Sequence, residues 1–176
     1  MPQSLNDSLS ETFYRSKASM SVMVSEYIKR GNVDINQSVR NDQQKPTAEL
    51  RLRISWAHVV NGTKKIDKDS LQAMVFDTHD IFNIIIQIRN LLNGQAQKID
   101  SIVHSSNTRM TSLEVKKGKE YGYVLTMNVN DTTVSLKDSF LISFSPAELH
   151  YLMFLFSKIL YYITTGTLMG YSVNWI

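Results

Sequence analysis

The run from Ser145 to Gly166 constrains this chain more than any other stretch. Twelve of the fifteen residues from Leu149 to Ile163 are apolar or aromatic, the exceptions being His150, Ser157 and Lys158. Ser145, Pro146 and Glu148 spell a helix start. A serine hydroxyl accepts from a free backbone N–H, proline suits the first helical position, and a glutamate three residues on reaches back to complete a capping box. Gly166 is the expected stop. A helix this apolar cannot lie with one face in water. It demands cover on two sides, from a sheet of its own chain and from a second body; the alternative is a core helix in a monomer. The run falls short of the ~20 apolar residues that cross a bilayer and carries Lys158, so no membrane span is expected.

A second copy of the device lies earlier. Asp77–Gly94 opens with a polar cap, has Asp80 three residues on, and then places Ile81, Ile84, Ile85, Ile88, Leu91 and Leu92 at helical spacing. Laying Asp77 on Ser145 puts Ile81 over Leu149, Ile84 over Leu152, Ile85 over Met153, Ile88 over Phe156 and Leu92 over Leu160. Each helix is entered from a strand-like run ending in phenylalanine, QAMVF before Asp77 and FLISF before Ser145. Two matching joints at one offset predict an internal duplication, too long for a solenoid repeat, in which two half-domains share one core.

The rest of the chain fills that plan. KASMSVMVSEYIKR from Lys17 alternates as a strand, VDINQSV is a second candidate, and the polar Arg40–Thr47 is a loop. AELRLRISWAHVV alternates Leu50, Leu52, Ile54 and Trp56 against Arg51, Arg53 and Ser55. Trp56 reads as core on that alternation, with a base-stacking platform as the alternative. Asn61-Gly62 marks a hairpin, and KKIDKDSLQAMVF returns as the fourth strand. The second half repeats this with KIDSIVHSS, TRMTSLEVKK, EYGYVLTMNV and TTVSLKDSFLISF, turning at Gly118 and at Asn130-Asp131. The expected class is α+β: two β-β-β-β-α repeats forming two antiparallel four-stranded sheets packed with helices. Residues 1–12 are expected to be a flexible lead-in. The domain spans 13–170, with half-repeats 13–94 and 98–166, and 167–176 form a tail.

Several chemistries find no support. The chain holds no cysteine, hence no disulfide frame or thiolate nucleophile. His58, His79, His104 and His150 stand singly, without metal-binding spacing. Asp67, Asp69, Asp77 and Asp80 could be imagined as a nuclease cluster, but Asp77 and Asp80 already serve a helix start. No phosphate-cradling glycine loop or nucleophile elbow occurs. No enzyme, metal or cofactor is therefore expected. The polar N-terminus has no secretory core. A net charge of +3 tolerates a polyanionic partner without demanding one. Basic residues do interleave with aromatics: Phe13 and Tyr14 beside Arg15 and Lys17, Trp56 after Arg53, Tyr121 and Tyr123 after Lys119. Cations neutralise phosphates while flat rings stack on unpaired bases, the means by which single strands are held without reading sequence.

The repeat plan and particular residues resemble the Whirly family and its relatives, the trypanosomatid mitochondrial guide-RNA-binding proteins and the positive-cofactor-four type of coactivator. Tyr14, Lys17, Ala18, Ser19, Met20, Ser21 and Val22 stand where the Whirly pattern has a tyrosine, a lysine-rich step and a small-residue strand. YGYVLTMNVNDTTVSLKDSFLISFSPAELHYLMFLFSKIL resembles its closing strands and helix. The family's lysine–glycine–lysine step is here Arg15, Ser16 and Lys17, and the insertion Arg40–Thr47 has no counterpart. The resemblance implies crossed sheets with helices beneath, single-stranded DNA or RNA held across the sheets, and tetramers formed through the helices.

The resulting expectation is a non-enzymatic single-stranded nucleic-acid-binding protein, DNA favoured over RNA. It would serve replication, recombination, repair or transcription in a cytoplasmic, nucleoid or organellar setting. Expected contacts are Tyr14, Lys17, Arg51, Arg53, Lys116, Lys119, Tyr121 and Tyr123. Tyr151, Phe154, Leu155, Lys158, Ile159 and Tyr162 are expected to join copies into a dimer or tetramer. The alternative is an adaptor subunit docking a protein through the apolar helix.

Overall fold

The computed structural model describes residues 10–28, 48–60, 63, 65–119 and 122–169. Eight strands and two helices follow the duplicated plan. The first half holds β1 (Glu11–Tyr14), β2 (Ala18–Ile28), β3 (Ala48–His58), β4 (Gln72–Phe76) and α1 (Thr78–Leu92). The second holds β5 (Ile102–Ser105), β6 (Arg109–Lys117), β7 (Tyr123–Asp131), β8 (Leu136–Phe144) and α2 (Pro146–Met169). Each half forms one antiparallel sheet whose strands lie side by side in chain order.

Alternation decides which face of each sheet is buried. Met20, Val22, Leu52, Ile54, Trp56, Met74 and Phe76 point inward from the first sheet; Leu113, Val115, Leu125, Met127, Phe140 and Ile142 do so from the second. Against these pack α1, which meets β3, β4 and β6, and α2, which meets β3 and β8; the helices also touch each other. One core therefore serves both halves. Trp56 is wholly buried within it, and its indole N–H meets no acceptor among the described residues. Of the superimposed helix pairs, Ile81 and Leu149, Ile84 and Leu152, and Ile88 and Phe156 are all fully buried.

The two helix starts are built differently. At α2, Ser145 Oγ accepts from Glu148 N (3.2 Å) while Glu148 Oε2 accepts from Ser145 N (2.8 Å), a complete capping box. At α1, Asp77 Oδ1 accepts from Asp80 N at 2.9 Å, but Asp80 does not reach back; it bonds His104 instead. The α1 C-terminus closes as a Schellman motif, with Gly94 N on Leu91 O and Gln95 N on Asn90 O. Gly94 has φ +74°, a backbone region that suits glycine.

Several expectations are corrected. The lead-in expected over 1–12 gives way at Glu11 to a strand, held by pairing of Glu11–Tyr14 with Ser19–Val22. The VDINQSV candidate lies outside the described residues. KKIDKDSLQAMVF is not one strand. Ile66 bridges Val59, a 3-10 turn spans Lys68–Ser70, and only Gln72–Phe76 joins the sheet. Asp67 causes the break by accepting from Asp69 N through its side chain. The turn expected at Asn130-Asp131 falls later, because β7 runs through Asp131, whose carboxylate accepts from Thr133 N at 3.0 Å. Helix α2 passes Gly166 and ends at Met169. Among the described residues, no helix is long and apolar enough to cross a membrane.

Candidate nucleic-acid interface

The sides of the sheets turned away from the helices are unlike any other surface of the molecule. On the first sheet, register lines up Thr12, Ser21, Ser55 and Ala73 in one rung, and Met23, Arg53 and Val75 in the next but one. Arg51 lies two residues before Arg53, opposite Ser25. The floor is small and hydroxylated: Thr12 Oγ1 and Ser21 Oγ are 3.0 Å apart, and Arg53 Nε donates to Ser55 Oγ at 3.2 Å. Among the described strand side chains of this face, Arg51 and Arg53 are the charged ones.

The second sheet presents a different mixture. One rung is a hydrogen-bonded ladder, Ser139 Oγ to Asn128 Oδ1 at 2.9 Å and Asn128 Nδ2 to Ser112 Oγ at 3.4 Å. Around it stand the exposed apolar side chains of Val103, Met110 and Leu141. Lys116 pairs across to Val124 and Ser143, and Lys137 pairs to Asn130.

Two clefts mark the seams where the sheets meet. One, of about 490 Å³, runs between the β4 and β5 edges; Arg51, Asp77, Asp80, His104, Arg109 and Thr111 are among its walls, so it mixes cations with carboxylates. Arg109 Nη2 crosses the seam to Gln72 Oε1 at 2.7 Å. The other lies between the β1–β2 turn and β8, lined by Arg15, Lys17, His58, Phe140, Leu141 and Ser143 among others. Its floor is a stack of His58 on Phe140 with centroids 4.4 Å apart, and His58 Nε2 lies 2.8 Å from Asp138 Oδ2. A flat, polar-edged surface with cations at its seams can hold phosphates and receive unstacked bases.

The expected contact residues divide. Arg51 and Arg53 share the first sheet's open face; Lys116 is exposed on the second; Lys17 and Lys119 are exposed in turns at the strand ends. Tyr14 is exposed at the end of β1. Tyr123 is not on this surface: it is 9% exposed and sits in the core opposite Phe144, because it shares the inward parity of Leu125 and Met127. Tyr121 lies outside the described residues. His58, Arg109 and Leu141 line the seams without having been expected there. Parity alone put Leu141 outward, between buried Phe140 and Ile142.

The helical face divides in the same way. Tyr151, Phe154 and Lys158 are exposed, with Lys158 Nζ 5.2 Å from the Phe154 ring centroid. Leu155 and Ile159 are buried in the chain's own core and Tyr162 packs partly against it, so these three do not form an open contact face. Their places are taken by Phe82 and Ile86 of α1 and by Tyr161. A groove between the helices holds Phe82, Ile85, Arg89, Leu160, Tyr161 and Thr164.

At the start of α1, Asp77, His79 and Asp80 bring potential ligand atoms within 4.8 Å of one another. Each already has a partner: Asp77 caps the helix, His79 Nδ1 lies 3.2 Å from Asn83 Nδ2, and Asp80 holds His104 at 3.1 Å. These bonds account for the cluster as part of the helix start.

No known family pattern matches this sequence, and no curated protein sequence is similar to it. Solved structures are. WHY1 from Arabidopsis thaliana superimposes with a TM-score of 0.67 at 16% identity, over 94% of this chain and 96% of that one. The plant transcriptional regulator PBF-2 does so with a TM-score of 0.67 at 16% identity, over 98% of this chain and 100% of that one. WHY3 from Arabidopsis thaliana gives 0.66 at 16% identity, over 92% of this chain and 91% of that one. Two repeats of four strands and a helix, matched along nearly the whole length of both chains, give this protein the fold of the Whirly proteins.

Proposed function

We propose that this protein binds single-stranded nucleic acid, DNA in preference to RNA, without catalysis and with little regard to sequence. The observation that carries the reading is the first sheet's open face. There Arg51 and Arg53 stand on the side turned away from the helices, over a floor of small hydroxylated side chains. Phosphates meet the two guanidinium groups there, and Lys17 and Lys116 extend the positive track. Exposed Tyr14 and Leu141 offer flat or apolar surface to bases. A likeness in fold to a plant transcriptional regulator supports a role on nucleic acid. The exposed Phe82, Phe154 and Tyr161 side chains support assembly of copies through the helices.

The test is fluorescence anisotropy with labelled single-stranded DNA, single-stranded RNA and duplex DNA, each titrated across salt. Arg51→Glu/Arg53→Glu is expected to weaken single-strand binding at least about tenfold. Losing two phosphate contacts also lowers the log–log salt slope by about 1.4. The helix-mediated assembly state, read by light scattering, is expected to stay unchanged. A second reading, an adaptor that docks a protein on the Phe82–Phe154–Tyr161 face, takes over when no single strand binds at low salt.

A further inference from the structure

Arg15 stands at the step where a phosphate contact is expected by resemblance, and the structure engages all three of its nitrogens. Its Nε donates to Ser143 O at 2.8 Å, Nη1 to Tyr14 O at 2.9 Å, and its Cζ lies 5.6 Å from the Phe144 ring centroid. Nη2 meets Glu148 Oε1 at 2.8 Å. Two carbonyls and a ring thus fix the guanidinium, and a carboxylate occupies its remaining edge. The pair is partly open to solvent, the side chains 30% and 43% exposed. Arg15 also lines the seam cleft beside Lys17, so a strand entering that cleft passes next to it.

Glu148 is no loose surface acid. Its other oxygen, Oε2, accepts from Ser145 N at 2.8 Å and from Ser145 Oγ at 3.0 Å, so the helix cap holds the carboxylate in place. The Ser145 N–H, then its hydroxyl and the Arg15 charge, hold the Glu148 carboxyl below its ordinary range, keeping it anionic. A phosphate reaching for Arg15 must displace a fixed negative charge or be repelled by it.

We propose that Glu148 is an internal competitor for the phosphate subsite at Arg15, setting the affinity of the seam cleft for single strands. The inference rests on the nucleic-acid reading above. Within it, Arg15 adds no phosphate contact in the native protein, and neutralising Glu148 exposes a guanidinium already fixed in place. Glutamine at 148 isolates the effect, because it keeps the capping-box bond to Ser145 while removing the charge.

The experiment compares the full chain with its Glu148→Gln, Arg15→Gln and Arg15→Gln/Glu148→Gln variants, using a fluorescein-labelled oligodeoxythymidylate across salt. Glu148→Gln is expected to bind about fivefold more tightly, with a salt slope steeper by about 0.7, one added phosphate contact. Arg15→Gln is expected to leave the native slope unchanged and to abolish the gain in the double variant. Native binding with no change in Glu148→Gln overturns the competitor role and leaves the nucleic-acid reading standing. So does an equal gain in the double variant, since the charge would then act without Arg15. No binding by the native chain or by any variant overturns both.

Discussion

The two halves of the molecule solve the same entry into a helix in different ways. In the second half, Ser145 and Glu148 satisfy each other's backbone N–H groups, and Glu148 has a spare oxygen for Arg15 of the first half. In the first half, Asp77 caps alone, and Asp80 turns outward to His104 of the second sheet. The sequence repeat conserves apolar positions and frees the polar ones. Each helix start therefore uses the carboxylate three residues after its cap to tie one half to the other.

The comparison breaks most severely in the core. Ile88 and Phe156 are superimposed and wholly buried. Truncation to alanine is expected to cost about 2–5 kcal/mol for Ile88 and about 3–5 kcal/mol for Phe156. Denaturant titration should show one cooperative transition shifted in both variants. If either variant instead loses only its own half in a separate step, the halves do not share a core. A smaller effect tests the caps. Ser145→Ala is expected to destabilise by about 1–2 kcal/mol and Asp77→Ala by about 0.5–1 kcal/mol, because the serine also anchors Glu148. Equal losses in thermal melts would remove the distinction.

The smallest effect concerns pH. The folded carboxyl of Glu148 lies below its unfolded value of 4.5, chiefly through the Ser145 N–H. The stabilisation is therefore fully present above that unfolded value and fades as pH falls through the depressed folded one. Part-exposure screens the charge, so the effect is modest. Melting temperatures of the native chain and Glu148→Gln are expected to differ near neutral pH and to converge in acid. A gap that persists unchanged into acid would show that the carboxylate's charge contributes nothing.

Both strand-to-helix joints, the two-sheet plan and the burial of three of the superimposed helix pairs were legible in the sequence, since periodicity and caps are local signals. The strand β1 was not. It has four residues, and its docking depends on partners far along the chain: Phe13 on the rings of Phe144 and Tyr151, and Glu11 Oε2 accepting from Tyr151 Oη at 2.9 Å. Tyr123 and the pair Leu155 and Ile159 teach a different lesson. Tyr123 shares strand parity with Leu125 and Met127, while Leu155 and Ile159 follow the helical spacing of Leu152 and Phe156. In each case periodicity already pointed inward, and reading the residues for ring or interface chemistry ran against it. Arg51 and Arg53 show the converse, since their parity opposite Leu52 and Ile54 put them on the open face. The seams were illegible because they join residues such as His58 and Asp138, eighty apart.

The strand order within each sheet has a consequence for where the two halves are joined. Among the described strands, every hydrogen-bonded neighbour is also the next strand in sequence, so both sheets are meanders built from pairings of consecutive strands. The ties from β1 and from Arg15, just after it, to β8 and α2 are the opposite, spanning separations of 128, 133 and 140 residues. They close only after the second half exists. The residues that commit Arg15 and cover Phe13 therefore come from the second half.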